Sequence, residues 1–448
     1  QTLGGVLIAA ETNHIDNYGP IKIESDNQNV IKMGGIAAYM GGTSSFVHNH
    51  ESGTINLNVN TRSHVHIGGI SQALKDVASD LTNDGNVTVN GTVGGTLYIG
   101  GCIKDNHNYK RIRCVNNGDI TVNAQMSTGC FVGGICYDGG SKMYFDYCHN
   151  TGDFIFGENA SGVRYLAWGG IVGKVETTST ANYNVLTGCS NSGDIIIKGN
   201  PASAGYCAMG GAYGFIYGAS KIIVAEGFTN SGDIIFEGNH TGAYTGPTDH
   251  KTRNSVDIGG FAGWVAADNT WASGSYTSWT GNIVNTGDIK HTGSVKSNVH
   301  MGGFFGHLNN VSPVVTEGAF INTGDIICTG TYDATAVPSG VGGFAGVATK
   351  EITGAQSYCN VLAPGHPAAG MITGSSRSAT VIAKNCKVGG SFIQTEIGED
   401  SDGNNTTIYT EIKIDESNWM NYIYGGTTSW PEGSDYDGCS FLSVVPEV

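Results

Sequence analysis

Charge, proline and long apolar runs are all scarce in this chain. Only 13% of its 448 residues are Asp, Glu, Lys or Arg, about half the share usual in soluble domains, and only 9 are proline. Disordered chains combine high charge with few apolar residues. Here 39% are apolar, so the chain folds and is long enough to bury a large core. No apolar run approaches the ~20 residues that span a bilayer, and no stretch of useful length carries the 3.6-residue period of a helix. With 22 basic against 38 acidic residues the net charge is −16, which repels phosphate backbones and argues against a nucleic-acid partner. There is no Gly-Xaa-Ser-Xaa-Gly elbow, no phosphate loop and no Cys-Xaa-Xaa-Cys pair, which speaks against an enzyme. The 11 Cys are too few for a disulfide scaffold and odd in number.

What the chain has in abundance is glycine, 70 residues of it, arranged in two alternating motifs. One is a turn, Asn-x-Gly-Asp-Ile, clearest at Asn116–Ile120, Asn150–Phe154, Asn191–Ile195, Asn230–Ile234, Asn285–Ile289 and Asn322–Ile326. The other is a Gly-Gly pair inside an apolar stretch, at 4–5, 34–35, 68–69, 100–101, 133–134, 169–170, 210–211, 259–260, 302–303, 342–343 and 389–390, so that successive pairs lie 30 to 49 residues apart. A repeat of this size signals a solenoid, propeller or array. Around the turn glycine, apolar residues fall four before it (Leu81, Cys114, Cys148, Cys189, Phe228), two after it and four after it, with polar residues between. That is the period of a half-buried strand. The Gly-Gly pair is flanked by apolar residues in the same way and reads as a bend where another backbone comes close. Two strands per unit and about ten units predict an all-β parallel solenoid in preference to a propeller, whose blades need four strands each.

Repetition weighs against catalysis. Stacked Asn side chains can hydrogen-bond from coil to coil. The repeated carboxylates Asp119, Asp153, Asp194, Asp233, Asp288 and Asp325 would repel at coil spacing unless solvated, capped by N–H groups or bridged by Ca²⁺; capping is the expected answer and no cofactor is required. His48, His50, His64 and His66 are spaced two apart in their strands, and neighbouring coils could bring the four together as a metal site. Eight of the cysteines fall in apolar columns and are expected as buried thiols, while Cys359 and Cys439 lie outside them. Trp264, Trp271, Tyr276 and Trp279 crowd a Ser/Thr/Gly/Asn-rich insertion at 264–281. They either pack on the solenoid wall or form a patch that stacks on sugar rings.

The repeat domain is placed at 1–390, with a degenerate coil over 350–390, and a capping segment at 391–448. Leu3-Gly4-Gly5-Val6 already fits the Gly-Gly motif, which predicts an open first coil covered by further chain or by another subunit. The low charge and abundant Asn, Thr, Ser and Gly suit an extracellular or cell-surface protein.

The alternation of Gly-Gly-Phe-Ala-Gly (259–263, 342–346) with Asn-Thr-Gly-Asp-Ile (285–289, 322–326) resembles the GLUG-type repeats of surface proteins from Bacteroides-type bacteria, over roughly residues 1–346. The first four units lack the third glycine of that pattern. The resemblance implies a secreted or outer-membrane-associated, adhesin-like module and carries over no catalytic residue. The expectation is a non-enzymatic surface module that binds a glycan or another surface protein. The alternatives are a stalk or filament subunit docking through its first coil, and a polysaccharide-degrading β-helix enzyme.

Overall fold

Wherever apolar and polar residues alternate, the chain runs extended, and each extended segment finds its partner one repeat away. The computed structural model describes all residues except 1, 9–11, 27, 107–109, 141, 178–181, 202–204, 219–220, 243–253, 267–276, 334–338, 365, 367, 377–382, 400–404, 426–435 and 447–448. It is a parallel β-solenoid. The double-glycine arms of successive coils pair into a 20-stranded sheet, here the glycine sheet, and the arms carrying the Asn-x-Gly-Asp turn pair into a 24-stranded sheet, the asparagine sheet. Register between coils is residue for residue: Val87 and Val89 lie between Ile55 and Leu57 on one side and Ile120 and Val122 on the other. All six are fully buried.

The first two coils cross the glycine sheet with one long strand each, Thr2–Ile8 and Ile31–Met40, and nine further coils cross it with two short ones. At ~4.8 Å per coil the stack is about 50 Å long. The unit therefore has more strands than its sequence suggests. Both arms are broken, so that coil 6 contains Tyr165–Gly169, Val172–Thr177, Tyr183–Asn191 and Ile195–Ile197.

The break in the glycine arm is steric. A Cβ on Gly134 would lie 2.0 Å from the carbonyl oxygen of Gly170 in the next coil and 2.7 Å from the side chain of Asn150. The same contact recurs in neighbouring coils, where Gly101 faces Gly134 and Asn116, and Gly170 faces Gly211 and Asn191. The two motifs are thus one device, in which the glycine pair makes room for the asparagine.

The asparagines form a continuous ladder through Asn17, Asn49, Asn83, Asn116, Asn150, Asn191, Asn230, Asn285 and Asn322. Each Nδ2 donates to Oδ1 of the asparagine in the following coil at 2.7–2.8 Å. Its second proton goes to the carbonyl of its own turn glycine at 2.8–3.1 Å. From Asn49 onward every member is buried. The column ends opposite Ser357.

Three residues before the ladder asparagine, each early coil kinks into the left-handed region: φ is +56° at His14, +53° at Phe46, +55° at Asp80, +50° at Arg113 and +53° at Tyr147. Gly188, Gly227 and Gly354 hold the same place later. The kink inserts one extra residue. In Ser44–Asn49 the buried positions are Ser44, Val47 and Asn49, three apart and then two.

Gly389–Gly390 is not an eleventh glycine bend. It lies in the strand Lys387–Glu399 of the asparagine sheet, opposite Tyr358 and Cys359. The eleventh place in the glycine sheet belongs to Ala369–Gly370, with Gly370 opposite Gly342. Cys359 accordingly sits in the core. Lys387–Glu399 folds back antiparallel on Asn405–Lys413 and takes Ser440–Phe441 as a parallel neighbour. The carbonyls of Tyr422 and Ile423 accept the N–H groups of Met371, Ile372 and Thr373.

Asn150→Ala removes an acceptor for Asn116 and donors for Asn191 and Gly152. At about 1–3 kcal/mol per stranded buried group, the expected loss is ~3 kcal/mol or more in urea unfolding. Gly134→Ala is expected to cost at least as much, because its new Cβ meets backbone.

Candidate functional site

The ladder aspartates follow the same coil-to-coil logic. Oδ1 of Asp119 accepts the backbone N–H of Asp153, and the pattern continues through Asp194, Asp233, Asp288 and Asp325 at 2.7–2.9 Å. Asn86 and Asn360 extend the column at its two ends. Lys290 bridges Asp233 and Asp288 at 2.8 and 3.0 Å. Among the described residues the groupings of three with converging metal-ligand atoms are Asp16–His48–His50 and Asp257–His300–His307, and neither contains a ladder aspartate.

The four histidines do not assemble. His48 and His50 belong to the asparagine arm, with rings 3.6 Å apart; His48 Nε2 meets Asp84 at 2.5 Å and His50 Nε2 meets Asp16 at 2.8 Å. His64 and His66 are on the opposite arm, where His64 Nδ1 accepts the N–H of Thr96 and His66 stacks on Tyr98. All eleven cysteines are free thiols, ten of them buried and Cys439 partly exposed. Burial pushes Cys130, Cys328 and Cys359 up to about 12, which leaves them inert as nucleophiles.

The tryptophan patch needs correction. Trp264 and Trp279 are each 1% exposed. Trp264 belongs to the strand Ala262–Ala266, with its ring 5.1 Å from that of Phe215. Trp279 packs between Phe261 and Phe320 and donates Nε1–H to the Ile222 carbonyl at 2.8 Å. Trp271 and Tyr276 lie outside the described residues.

Trp264 is instead one end of a row of rings on the outer face of the glycine sheet. Strand residues between the inward ones, two before each Gly-Gly pair and five after its first glycine, form outward columns. His66 meets Tyr98 at 4.8 Å, and Tyr98 meets Phe131 at 5.7 Å and Tyr137 at 4.7 Å. Further along, Tyr165, Tyr206, Phe215 and Tyr217 continue the row at 4.5–6.2 Å. Lys104 lies over Tyr98 and Tyr137, and Lys174 over Phe131. Tyr98, Tyr137, Tyr165 and Tyr217 remain half-exposed.

In coils 8 and 9 the same columns turn polar. Asp257 and His300 face each other on Ser255–Gly259 and Asn298–Gly302, and His307 on Phe305–Asn309 faces Trp264. The side chains of Asp257, His300 and His307 are 0% exposed. Asp257 Oδ1 lies 2.5 Å from His300 Nδ1 and 3.9 Å from His307 Nδ1, and the Ser255 hydroxyl donates to Asp257 Oδ2 at 2.6 Å. Trp264 stacks on His307, with the ring planes 11° apart. Burial, with the neighbouring His300 adding to it, holds the His307 imidazole well below its usual range, so it is neutral. Fully buried Asn298, two residues before His300 on the same side, has no hydrogen-bond partner at either amide atom among the described residues, and neither has Ser297 Oγ. Sequence reading does not single out this cluster, because the columns that hold its carboxylate and two imidazoles carry His66, Asp105 and Asp138 as well as Tyr, Phe, Ala and Lys.

Three comparisons were made with known proteins: no family matches the sequence, and no curated protein or solved structure matches it.

Three further buried histidines, His240, His291 and His366, are pulled down to about 4 by burial. Unfolded, they titrate near 6.5, so between pH 6.5 and 4 the unfolded chain binds more protons. Stability is then complete above 6.5 and lost as pH falls, at up to ~1.4 kcal/mol per pH unit per histidine. Melting temperature is expected to drop through that window, with a shallower slope in His291→Gln.

Proposed function

We propose that the protein is a non-enzymatic, surface-displayed repeat module that binds a glycan along the outer face of its glycine sheet. The observation that carries this reading is the half-exposed row of Tyr98, Tyr137, Tyr165 and Tyr217, with Lys104 and Lys174 laid against its rings. Such rings stack on the apolar faces of sugars while hydroxyl and ammonium groups take their polar edges. The row follows the solenoid axis, which suits a polymeric ligand whose own repeat lies along it. Support for a non-catalytic role comes from the repeated Asn and Asp side chains, which are consumed by coil-to-coil hydrogen bonds. Buried, unreactive thiols are compatible with display outside the cell.

Native gels cast with a panel of polysaccharides provide the test. Retardation by at least one glycan is expected, with a loss of about tenfold or more in affinity for Tyr98→Ala/Tyr137→Ala. Retardation that the double variant keeps in full removes the row as the binding face. No retardation by any glycan rejects the reading.

A further inference from the structure

We propose that Asp257, His300 and His307 form a zinc site inside the outer layer of coils 8 and 9, with Asn298 as the fourth ligand and Ser255 orienting the carboxylate. Over the preceding coils these two outward columns hold mainly rings, alanine and lysine, with His66, Asp105 and Asp138 among them, and in coils 8 and 9 they place one carboxylate and two imidazoles side by side at 0% exposure. Both imidazoles present Nδ1 to the same carboxylate oxygen, at 2.5 and 3.9 Å. The first contact is within hydrogen-bond distance and the second is beyond it. A tetrahedral zinc with ~2.1 Å bonds needs its ligand atoms about 3.4 Å apart, and the two observed separations bracket that value. The ligand atoms of Asp257, His300 and His307 already lie within 4.8 Å of one another.

The second, independent observation is Asn298. Buried amides nearly always have partners, and leaving one bare costs about 1–3 kcal/mol per group. Asn298 is opposite Ser255 in the register that also sets His300 opposite Asp257, so its bare amide belongs to the same neighbourhood. An oxygen ligand to an ion would satisfy it. The set of two imidazoles, one carboxylate and one neutral oxygen is borderline in softness and too small in oxygen count for Ca²⁺ or Mg²⁺. Supporting contacts are in place. The Ser255 hydroxyl fixes the free carboxylate oxygen at 2.6 Å, and Trp264 fixes the plane of His307. Because the ligands come from two coils and are enclosed, the ion would be captured as coil 9 docks on coil 8, which ties metal binding to folding.

The test uses the full, tag-free chain carrying His48→Ala/His50→Ala, so that the half-exposed Asp16 grouping does not contribute. The protein is refolded with zinc, dialysed and assayed for metal by mass spectrometry. One zinc per chain is expected, and near none after adding His307→Gln. Ser255→Ala, which keeps all four ligands, is expected to weaken zinc 10–100-fold against a chromophoric chelator. It also serves as the decisive variant if His307→Gln loses its strand circular dichroism. Cobalt in place of zinc should give the visible absorption of a tetrahedral site with nitrogen and oxygen ligands. A parent chain that retains no zinc overturns the proposal, and so does an unchanged zinc content in a folded His307→Gln or an unchanged affinity in Ser255→Ala.

Discussion

The structure depends on one repeated contact, the side chain of a buried asparagine resting where a glycine has no Cβ. The amide is an unusual group for a core. It is tolerated because both its protons and its oxygen are used, the oxygen by the preceding coil and the protons by the following coil and the local turn. Inside a low-dielectric core such a chain of amides polarises along its length, and the penalty for breaking it exceeds that of an isolated bond. The ladder also sets register. An asparagine can meet its neighbour's only when every strand in the coil is aligned, so the polar column decides among alignments that the apolar columns alone would tolerate.

From this contact the remaining architecture follows. From the third coil onward the glycine pair breaks its arm where it admits the asparagine, and the break gives the sheet two short strands per coil. Beyond the turn, the aspartate column caps the backbone of the next coil. The inward positions then fill with Ile, Val, Leu, Phe, Cys and Trp in one continuous core. Stability in such a stack is a sum over neighbours, and the last coils are no exception: the antiparallel return of Asn405–Lys413 and the strand Ser440–Phe441 extend the asparagine sheet beyond Ala355–Leu362.

Much of this was legible in the residues alone. The columns at Leu81, Cys114, Cys148 and Cys189, and those two and four after the turn, are core, because alternation about a fixed turn is a local property. Three things were not. The positions before the kink, such as Ser44 and Ala78, are buried but break the alternation. Trp264 and Trp279 were grouped with an insertion by composition, whereas pairing with other coils places them in strands. The Asp257 cluster joins residues from successive coils, 43 apart. It becomes visible only when outward positions are compared as columns. Gly389–Gly390 carried the right dipeptide on the wrong arm, since the motif alone does not distinguish a bend from a strand that passes close to its neighbour.

The left-handed kink has a consequence for how such a chain can change. Left-handed backbone costs roughly 1–2 kcal/mol in residues other than glycine, yet Phe46 and Tyr147 occupy it while more than 40% exposed, and Asp80 and Arg113 form a two-pronged ion pair there. Eight coils carry this phase error against strict alternation three residues before the ladder position, and in the coils of Asn285 and Asn322 the left-handed residue, Gly281 or Gly318, comes one residue earlier. The stack stays in step because neighbouring coils share the error. Loss of that one residue from a single coil would turn part of its arm inside out against two unaltered neighbours, whereas loss or gain of a whole coil would leave the phase intact. A chain built this way is expected to change its length by entire coils and to keep its kink position free for whatever side chain its surface requires.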